Sequence, residues 1–234
     1  MLDSLYEPDL SIGFIWVVIL AFYFLIKSID RDKAGKKYFR IIILSITSWI
    51  ALTGIIASTG FFLDFSIIPP RIFYAFVPSV FFVLFVFFFR KGWAEYFSVK
   101  SLTWIHVIRV FVEIILLGLA LDKQIPLQMT FEGTNLDILS GISAPVVALT
   151  CFKKSGIRPV PLLIWNIVCL LLLVNVVTTG VLSAPTQFQQ LNFSQPNVAV
   201  GYFPFIWLIS FVVPVVLFSH LISMQILISR IGKR

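Results

Sequence analysis

Three ionisable side chains, His106, Arg109 and Glu113, follow one another at spacings of three and four residues inside a long apolar stretch. On an α-helix, residues at i, i+3 and i+7 project from one face. A charged group at the centre of a bilayer costs about 2.5–3.5 kcal/mol on insertion scales, so such groups face the protein interior and find partners. We expect Arg109 and Glu113 to pair at i, i+4, either as a structural ion pair or as the lining of a polar cavity.

The cavity interpretation gives each of these residues a chemical role. Arg109 would hold an anionic group or Glu113, and Glu113 would carry a proton or a cation. At 1.5 Å per residue from Ser101, Arg109 lies ~12 Å and Glu113 ~18 Å into the helix. Asn166 and Asn175, in a later apolar segment, either hydrogen-bond between helices or extend the same polar interior.

The second histidine, His220, lies in the last apolar segment at a depth similar to that of His106. Two histidines on different helices are able to ligate a haem iron or another metal between them. No local ligand motif accompanies either residue. We therefore favour two hydrogen-bonded interior histidines, and we predict no cofactor.

A dense polar segment, Met129–Asp137, precedes the fifth apolar stretch. Asn135 or Asp137 is placed to cap the following helix, and Gly133 favours a turn. Glu132 and Asp137 offer a second interpretation, an acid–base pair or a cation site on the outer face. We favour the cap and the turn.

The elements that position these residues are predicted to be membrane helices. The chain is 59% hydrophobic and 12% charged, with a mean hydropathy of +1.00, whereas soluble domains carry about 25% charged residues. A spanning helix needs about 20 apolar residues. Residues 1–234 are expected to form a single all-α, seven-helix transmembrane domain, in which the fifth helix is the shortest. The predicted helices cover residues 10–27, 38–62, 72–89, 101–121, 136–152, 159–182 and 202–229.

The basic residues are distributed unevenly among the loops between these segments. Fifteen lysines and arginines fall in the first, third and fifth loops and the tail, two (Arg71 and Lys123) fall in the alternate loops, and Arg109 lies inside a segment. The positive-inside rule predicts an external N-terminus and a cytoplasmic C-terminus. The first ten residues are acidic and lack the basic stretch of a cleavable signal peptide, so the first segment is expected to remain as a helix.

Small residues recur every four positions in the fifth segment, at Ser140, Ala144 and Ala148. Such a face lets another helix backbone approach closely, either within the chain or from a membrane-protein partner. The loop at 183–201 is rich in glutamine and asparagine. It is able to act as a lid over the bundle, although we favour a solvated connection.

Absent motifs narrow the possible functions. The sequence has no GxSxG, HExxH, P-loop or GxGxxG pattern, and the last segment has no lysine for a retinal Schiff base. The net charge of +7 arises from loop clusters, which does not indicate nucleic-acid binding. No enzyme class is favoured.

Three function classes remain open. The leading hypothesis is a small binding or transport bundle for a small-molecule or lipid ligand, with a polar intramembrane site around Arg109 and Glu113. The first alternative is an intramembrane enzyme acting on a lipid or quinone-like substrate, with Glu113 or the histidines as acid–base groups. The second alternative is an accessory subunit of a membrane complex.

Two parts of the chain resemble uncharacterised multi-pass proteins of bacterial inner membranes. In the first part the shared residues are Arg109, Glu113, Pro126, the run MTFEGTNLDILSG (Met129–Gly141), Ala144 and Pro145. In the second part they are Gly201–Pro204, Pro214 and His220. The resemblance implies a seven-helix protein of the bacterial cytoplasmic membrane, and it brings no activity with it.

Overall fold

A computed structural model describes residues 8–153 and 156–232. The signal-peptide prediction and part of the loop-charge prediction concern residues outside these ranges. Those residues are Asp3, Glu7, Lys154, Lys233 and Arg234.

The regular secondary structure of the described chain is helical apart from one short hairpin, and loops connect the elements. The α-helices are α1 (Pro8–Ser28), α2 (Arg31–Ser58), α3 (Phe73–Phe89), α4 (Val99–Ile105), α5 (Ile108–Leu121), α6 (Ile138–Thr150), α7 (Pro159–Ser183) and α8 (Val213–Ile231). Short 3₁₀ turns cover Phe61–Leu63, Lys91–Tyr96, Leu127–Met129 and Ala199–Gly201, and a π-helical segment covers Leu208–Val212. Strands β1 (Phe152–Lys153) and β2 (Gly156–Ile157) pair antiparallel between α6 and α7.

Five helical stretches are long and apolar enough to cross a membrane, judged by length and composition. They are Asp9–Ser28, Arg31–Ser58, Val99–Leu121, Pro159–Ser183 and Leu208–Ile231. The apolar helices α3 and α6 are shorter, at 17 and 13 residues. Each of the seven predicted segments therefore contains a helix, and the all-α fold of a membrane protein is confirmed.

The bundle is arranged around α8. The stretch that ends in α8 is the most buried of the five, at 67%, whereas the stretch that forms α2 is 17% buried. Helices α3, α4 and α7 all pack against α8, and α1 packs against α4 and α5. The residues with candidate chemistry on α5 and α8 are thus placed in the centre of the fold, while α2 lies at its periphery.

Helix α2 begins earlier than the predicted segment and contains a break at Gly35. Gly35 has φ 73° and ψ 151°, a left-handed conformation that favours glycine because it has no Cβ. The Asp30 carboxylate caps the first turn by accepting hydrogen bonds from the N–H groups of Asp32 (3.2 Å) and Lys33 (3.3 Å). The break separates the first four residues of α2 from a continuation that begins with Lys36, Lys37 and Arg40 and is apolar from Ile41.

The predicted helix at 101–121 is divided into α4 and α5 by a joint at His106 and Val107. Hydrogen bonds at the joint span three residues rather than four, since the His106 N–H donates to the Thr103 carbonyl (3.3 Å) and the Arg109 N–H donates to the His106 carbonyl (3.1 Å). This tighter 3₁₀-type turn changes the angular relation of side chains on either side of it. The prediction that His106, Arg109 and Glu113 project from one helix face assumed a continuous helix. It therefore does not hold for His106, which lies at the joint.

The face of α6 that carries small residues packs against α4 and α5 at this joint. Ser140, Ala144 and Ala148 are between 0% and 1% exposed. A Cβ at Gly141 would lie 2.8 Å from the backbone nitrogen of Val110, so only glycine permits this approach. The face predicted for a membrane-protein partner is thus covered by helices of its own chain, and that prediction is corrected.

In the predicted segment 202–229, the long helical stretch begins at Leu208. Pro214 lies near the start of this stretch and changes its hydrogen bonds. Proline has no N–H, so the carbonyl of Ser210 loses its usual helical donor. Trp49 Nε1 on α2 (3.0 Å) donates to this carbonyl instead, and Ser79 Oγ on α3 shares its one hydroxyl hydrogen between this carbonyl (2.8 Å) and that of Ala75 (2.9 Å). The proline thereby links α2 and α3 to the central helix.

Candidate functional site

Arg109 is the centre of a buried hydrogen-bond network, and it is 2% exposed. Its Nε donates to Asp137 Oδ2 (2.6 Å), and Nη2 forms an ion pair with Asp137 Oδ1. Nη2 also donates to the Cys169 carbonyl (3.2 Å), and Nη1 lies 3.0 Å from His220 Nε2. Two-point contacts of this kind between arginine and carboxylate are strong and directional. The predicted Arg109–Glu113 ion pair is wrong, because within the described part of the chain the carboxylate that pairs with Arg109 is Asp137.

The contact with Arg109 determines the tautomer of His220. Arginine only donates hydrogen bonds, so His220 Nε2 accepts and carries no proton. Nδ1 then carries the proton and donates to Asn166 Oδ1 (2.9 Å), while Asn166 Nδ2 donates to the Leu162 carbonyl (2.8 Å). One chain of hydrogen bonds therefore runs from α6 through α5 and α8 to α7, with His220 as a neutral imidazole.

His106 lies beside this chain and is fully buried. Its ring stacks on His220, with centroids 4.0 Å apart and planes 22° apart, and it meets Trp165 edge-on at 5.3 Å. Neither ring nitrogen of His106 has a hydrogen-bond partner in the described structure. A bis-histidine haem requires ring nitrogens that face each other across the iron. Stacked rings, with both His220 nitrogens already bonded, do not fit that alternative.

Glu113 is 1% exposed and has a different partner from the one predicted. Its Oε1 accepts a hydrogen bond from Asn135 Nδ2 (2.6 Å). The orientation of the Asn135 amide follows from its two backbone contacts, because Nδ2 donates to the Met129 carbonyl (2.9 Å) and Oδ1 accepts from the Asp137 N–H (2.9 Å). Glu113 Oε2 is buried and has no hydrogen-bond partner among the described residues.

A cavity of about 80 Å³ lies against this network. Its ionisable lining residues are Arg109, Glu113 and Asp137, and Asn197 adds an amide. Most of the remaining wall is apolar and comes from α3, α5, α7, α8 and the π-helical segment before α8. It includes Val112, Leu116, Val176, Val177, Val212 and Val216. The arrangement is a hydrophobic pocket with a small number of convergent polar groups, as is usual for a small-molecule site.

Half-buried residues form part of the cavity wall. Phe76 of α3, Val177 of α7 and Val213 of α8 all line the cavity and remain partly exposed. Helices α3 and α7 both pack on α8. The adjoining surface is apolar, since Val77 is 53% exposed and Val174 is 52% exposed.

The loop at 183–201 is tied to the ends of helices, which corrects the expectation of a solvated connection. Gln195 Nε2 donates to the carbonyls of Ala120 (3.0 Å) and Ile125, and Asn197 Nδ2 donates to the Gly180 carbonyl (3.1 Å). Carbonyls in the last turn of a helix have no donor within the helix, and these amide side chains supply one to Ala120 of α5 and Gly180 of α7, while Ile125 lies in the loop after α5. The loop thus closes the end of the bundle above the cavity.

Other candidate residues lie outside the buried network. Asn175 is exposed, and the one described hydrogen bond of its side chain is from Nδ2 to the Thr134 carbonyl, at 3.4 Å. Glu132 is also exposed, so the proposed Glu132–Asp137 site is not formed. The Asp137 side chain does not cap α6. The local contact at this helix start is instead the one from the Asp137 N–H to Asn135.

The sequence offered one signal for the partner of Arg109 that the prediction missed, because the fifth predicted segment is the shortest of the seven. Helix α6 has 13 residues and is therefore about 20 Å long, shorter than the ~30 Å hydrocarbon core. Asn135 and Asp137, at the start of this short helix, were assigned to the outer face but are 1% and 5% exposed. They contact Glu113 and Arg109 in the interior.

No curated protein and no solved structure matches this chain. A family model described as a domain of unknown function (DUF8737) matches residues 71–228. The matched region includes the whole buried network and every residue that lines the cavity. Because the match covers more than half of the chain, the protein belongs to the DUF8737 family.

Proposed function

We propose that this protein is a membrane binding or transport bundle that admits a small amphipathic ligand from the bilayer into the cavity beside Glu113. The observation that carries the proposal is Glu113 Oε2, a buried polar atom without a partner in the described structure, in the wall of an apolar cavity. An unsatisfied buried polar group costs about 1–3 kcal/mol. A ligand that supplies the missing partner removes that cost.

The size and position of the cavity support a ligand that is only partly enclosed. An engineered cavity of about 150 Å³ is large enough for benzene, so about 80 Å³ suits a small head group. A lateral mouth between α3 and α7 lets an apolar tail remain in the hydrocarbon. Apolar walls then contact the part of the molecule closest to the head group.

Arg109 has a structural role in this proposal. Four of its five N–H donors are engaged by Asp137, His220 and Cys169. The guanidinium therefore connects α5 to α6, α7 and α8, and it shapes the cavity rather than binding an anion. Glu113 is left as the residue that meets the ligand.

We also propose seven membrane spans, with the N-terminus outside and the C-terminus in the cytoplasm of a bacterial cell. The distribution of basic residues among the loops supports this topology. Helix α6 is too short to span alone, and the buried segment around Met129, Thr130 and Asn135 would complete its crossing. Irregular backbone is tolerated at membrane depth where it is buried in protein.

The lateral mouth also suits an intramembrane enzyme that acts on a lipid or quinone-like substrate. In that case the acid–base role would fall to Glu113, because His220 is held by Arg109 and Asn166 and does not line the cavity. An accessory subunit has less support, because the small-residue face of α6 is buried within the chain.

Native mass spectrometry of protein purified in mild detergent tests the proposed site. Val177 lines the cavity and is partly exposed, whereas Val174 is 52% exposed on the same helix and is not a lining residue. We expect wild type and Val174→Phe to carry a stoichiometric small adduct and Val177→Phe to lose it, because the phenyl ring fills the mouth. An adduct that persists in Val177→Phe, or a bare chain in all three samples, would contradict the proposal.

A further inference from the structure

We infer that Glu113 is a neutral carboxylic acid that donates a hydrogen bond from Oε2, so that the cavity selects uncharged amphiphiles with a carbonyl acceptor at their polar end. A ketone, a quinone and an ester share this chemistry. The inference rests on the proposed ligand site and names the class of ligand that it takes.

The charges around the cavity support the neutral acid. The ionisable lining residues are Arg109, Asp137 and Glu113, and Arg109 and Asp137 neutralise each other in a two-point ion pair. From the other elements, His220 on α8 is neutral because it accepts from Arg109, and Cys169 on α7 contributes its backbone carbonyl. Among the described residues of the cavity wall, no second cation is left to balance a Glu113 carboxylate. A buried carboxylate without a cation is strongly disfavoured, and the group takes up a proton instead.

The hydrogen bonds of Asn135 indicate which oxygen of Glu113 carries that proton. Because the Met129 carbonyl and the Asp137 N–H orient the amide, Asn135 must donate to Glu113 Oε1. Oε1 is then the accepting carbonyl oxygen, and Oε2 carries the hydroxyl. The hydroxyl finds no acceptor in the described structure, so an acceptor atom of a ligand in the cavity completes the network.

Charged molecules and molecules with several hydroxyl groups fit this wall less well than an uncharged carbonyl compound. An anion would meet the Asp137 carboxylate while Arg109 is already engaged. A cation would meet the guanidinium of Arg109 in the same wall. A molecule with several hydroxyl groups would leave most of them unpaired against the apolar side chains, which costs about 1–3 kcal/mol for each group.

Two substitutions at Glu113 separate a neutral donor from a negative charge. Glu113→Gln keeps a carbonyl that accepts from Asn135 and an amide N–H that donates into the cavity. Glu113→Leu has a similar volume and neither group. The probes are methyl pentyl ketone, heptane and heptylammonium, each with a terminal trifluoromethyl group, and ligand-observed fluorine NMR in detergent measures their affinities.

We expect wild type and Glu113→Gln to bind the ketone with affinities within about twofold of each other. Glu113→Leu should bind it roughly three- to tenfold more weakly, which corresponds to the loss of one hydrogen bond. Heptane should bind all three proteins equally, because it uses only the apolar walls. Infrared spectra should show the carbonyl band of a protonated carboxylic acid in wild type and not in either variant, and this measurement on wild type does not depend on how the variants fold.

Several results would overturn the inference. Loss of ketone binding in both Glu113→Gln and Glu113→Leu would mean that a negative charge is required. Equal ketone binding by all three proteins would mean that Glu113 does not contact the ligand. A preference for heptylammonium, or the absence of the acid band in wild type, would assign Glu113 as a carboxylate.

The proposed function can be judged separately from this inference. If Val177→Phe abolishes binding of the preferred probe and Val174→Phe does not, the proposed ligand site is supported, whichever probe is preferred. If no probe binds wild type, both the inference and the proposed function fail.

Discussion

Glu113 and Asp137 are carboxyl groups in the wall of one cavity, and their different partners give them different chemistry. Asp137 is bound at two points by Arg109, which stabilises its charged form. Glu113 is bound at one oxygen by the uncharged Asn135 amide. Residue type and spacing alone did not distinguish the two roles, because both depend on which group lies across the helix interface.

The Arg109–Asp137 pair predicts an asymmetry between two single substitutions. Arg109→Leu leaves a buried carboxyl that can neutralise itself by taking up a proton, whereas Asp137→Leu leaves a guanidinium that cannot lose its charge. Breaking a buried ion pair costs about 3–5 kcal/mol. We expect Asp137→Leu to reach that range and Arg109→Leu to cost less, as measured by the free energy of unfolding in an SDS titration followed by circular dichroism.

The partly exposed pair Arg71–Asp64 (3.1 Å) provides the control. Hydrogen bonds from the Ser66 hydroxyl and backbone N–H, together with the nearby Arg71 charge, hold the pKa of Asp64 below its usual value. The stabilisation from this pair is therefore present above the unfolded-state pKa of Asp64 and is lost as the pH falls through the folded-state pKa. At neutral pH, Arg71→Leu should cost much less than Asp137→Leu. Equal losses at the two positions would argue against a network that depends on burial.

At the scale of elements, two irregular helices set the geometry of the site. The joint at His106 and Val107 separates α4 from α5, and Gly141 lets α6 pack directly against it. Helix α6 then begins deep enough for Asp137 to reach Arg109. The prediction had a continuous fourth helix and a fifth helix over 136–152, and it included neither the joint nor the Arg109–Asp137 contact.

The Ser210 carbonyl freed by Pro214 predicts a coupling between two substitutions. Ser79→Ala removes one donor to this carbonyl and should lower the free energy of unfolding by about 1–3 kcal/mol. In a Pro214→Ala background the helix regains its own N–H donor, so the same substitution should cost less. A double-mutant cycle in SDS titrations measures the difference.

A matched serine on α2 serves as the reference for that cycle. Ser58 is exposed, and its hydroxyl donates to the Ile55 carbonyl of its own helix (2.7 Å). Ser58→Ala should have little effect in either background. If Ser79→Ala costs the same with and without Pro214, the carbonyl is not the group that Ser79 stabilises.

At the scale of the whole molecule, the proposed topology predicts which exposed positions face the outside of the cell. Ser66 and Gln190 are exposed in loops assigned to the external side, and Lys100 and Arg230 are exposed on the side assigned to the cytoplasm. Single cysteines at these positions, in a chain whose two native cysteines are replaced by alanine, report sidedness. A membrane-impermeant maleimide should label Ser66→Cys and Gln190→Cys on intact cells, and Lys100→Cys and Arg230→Cys only after permeabilisation.

The labelling pattern has a clear contrary result. An even number of spans would place the two ends of the described bundle on the same side of the membrane. In that case Gln190→Cys and Lys100→Cys would be labelled from the same side, or Arg230→Cys would react on intact cells.

The sequence by itself determined that the protein is all-α and that its helices lie in seven apolar segments of the kind found in membrane proteins, but not the joint within the fourth segment or the late start of the last helix. The free energy of transfer into hydrocarbon is a sum over the residues of a segment. The composition of each stretch was therefore sufficient to identify it as an apolar helix. The same reasoning singled out Arg109, Glu113 and His220 as interior residues, because isolated polar groups in apolar helices must be buried.

Only the tertiary structure decided how these residues are used. Arg109 finds its partners 28 and 111 positions away, at Asp137 and His220, and helical periodicity describes only neighbours within about two turns. The unpartnered oxygen of Glu113 and the cavity beside it depend on how α3, α5, α7 and α8 pack together. Such contacts arise from the joint arrangement of several helices, and no single segment encodes them.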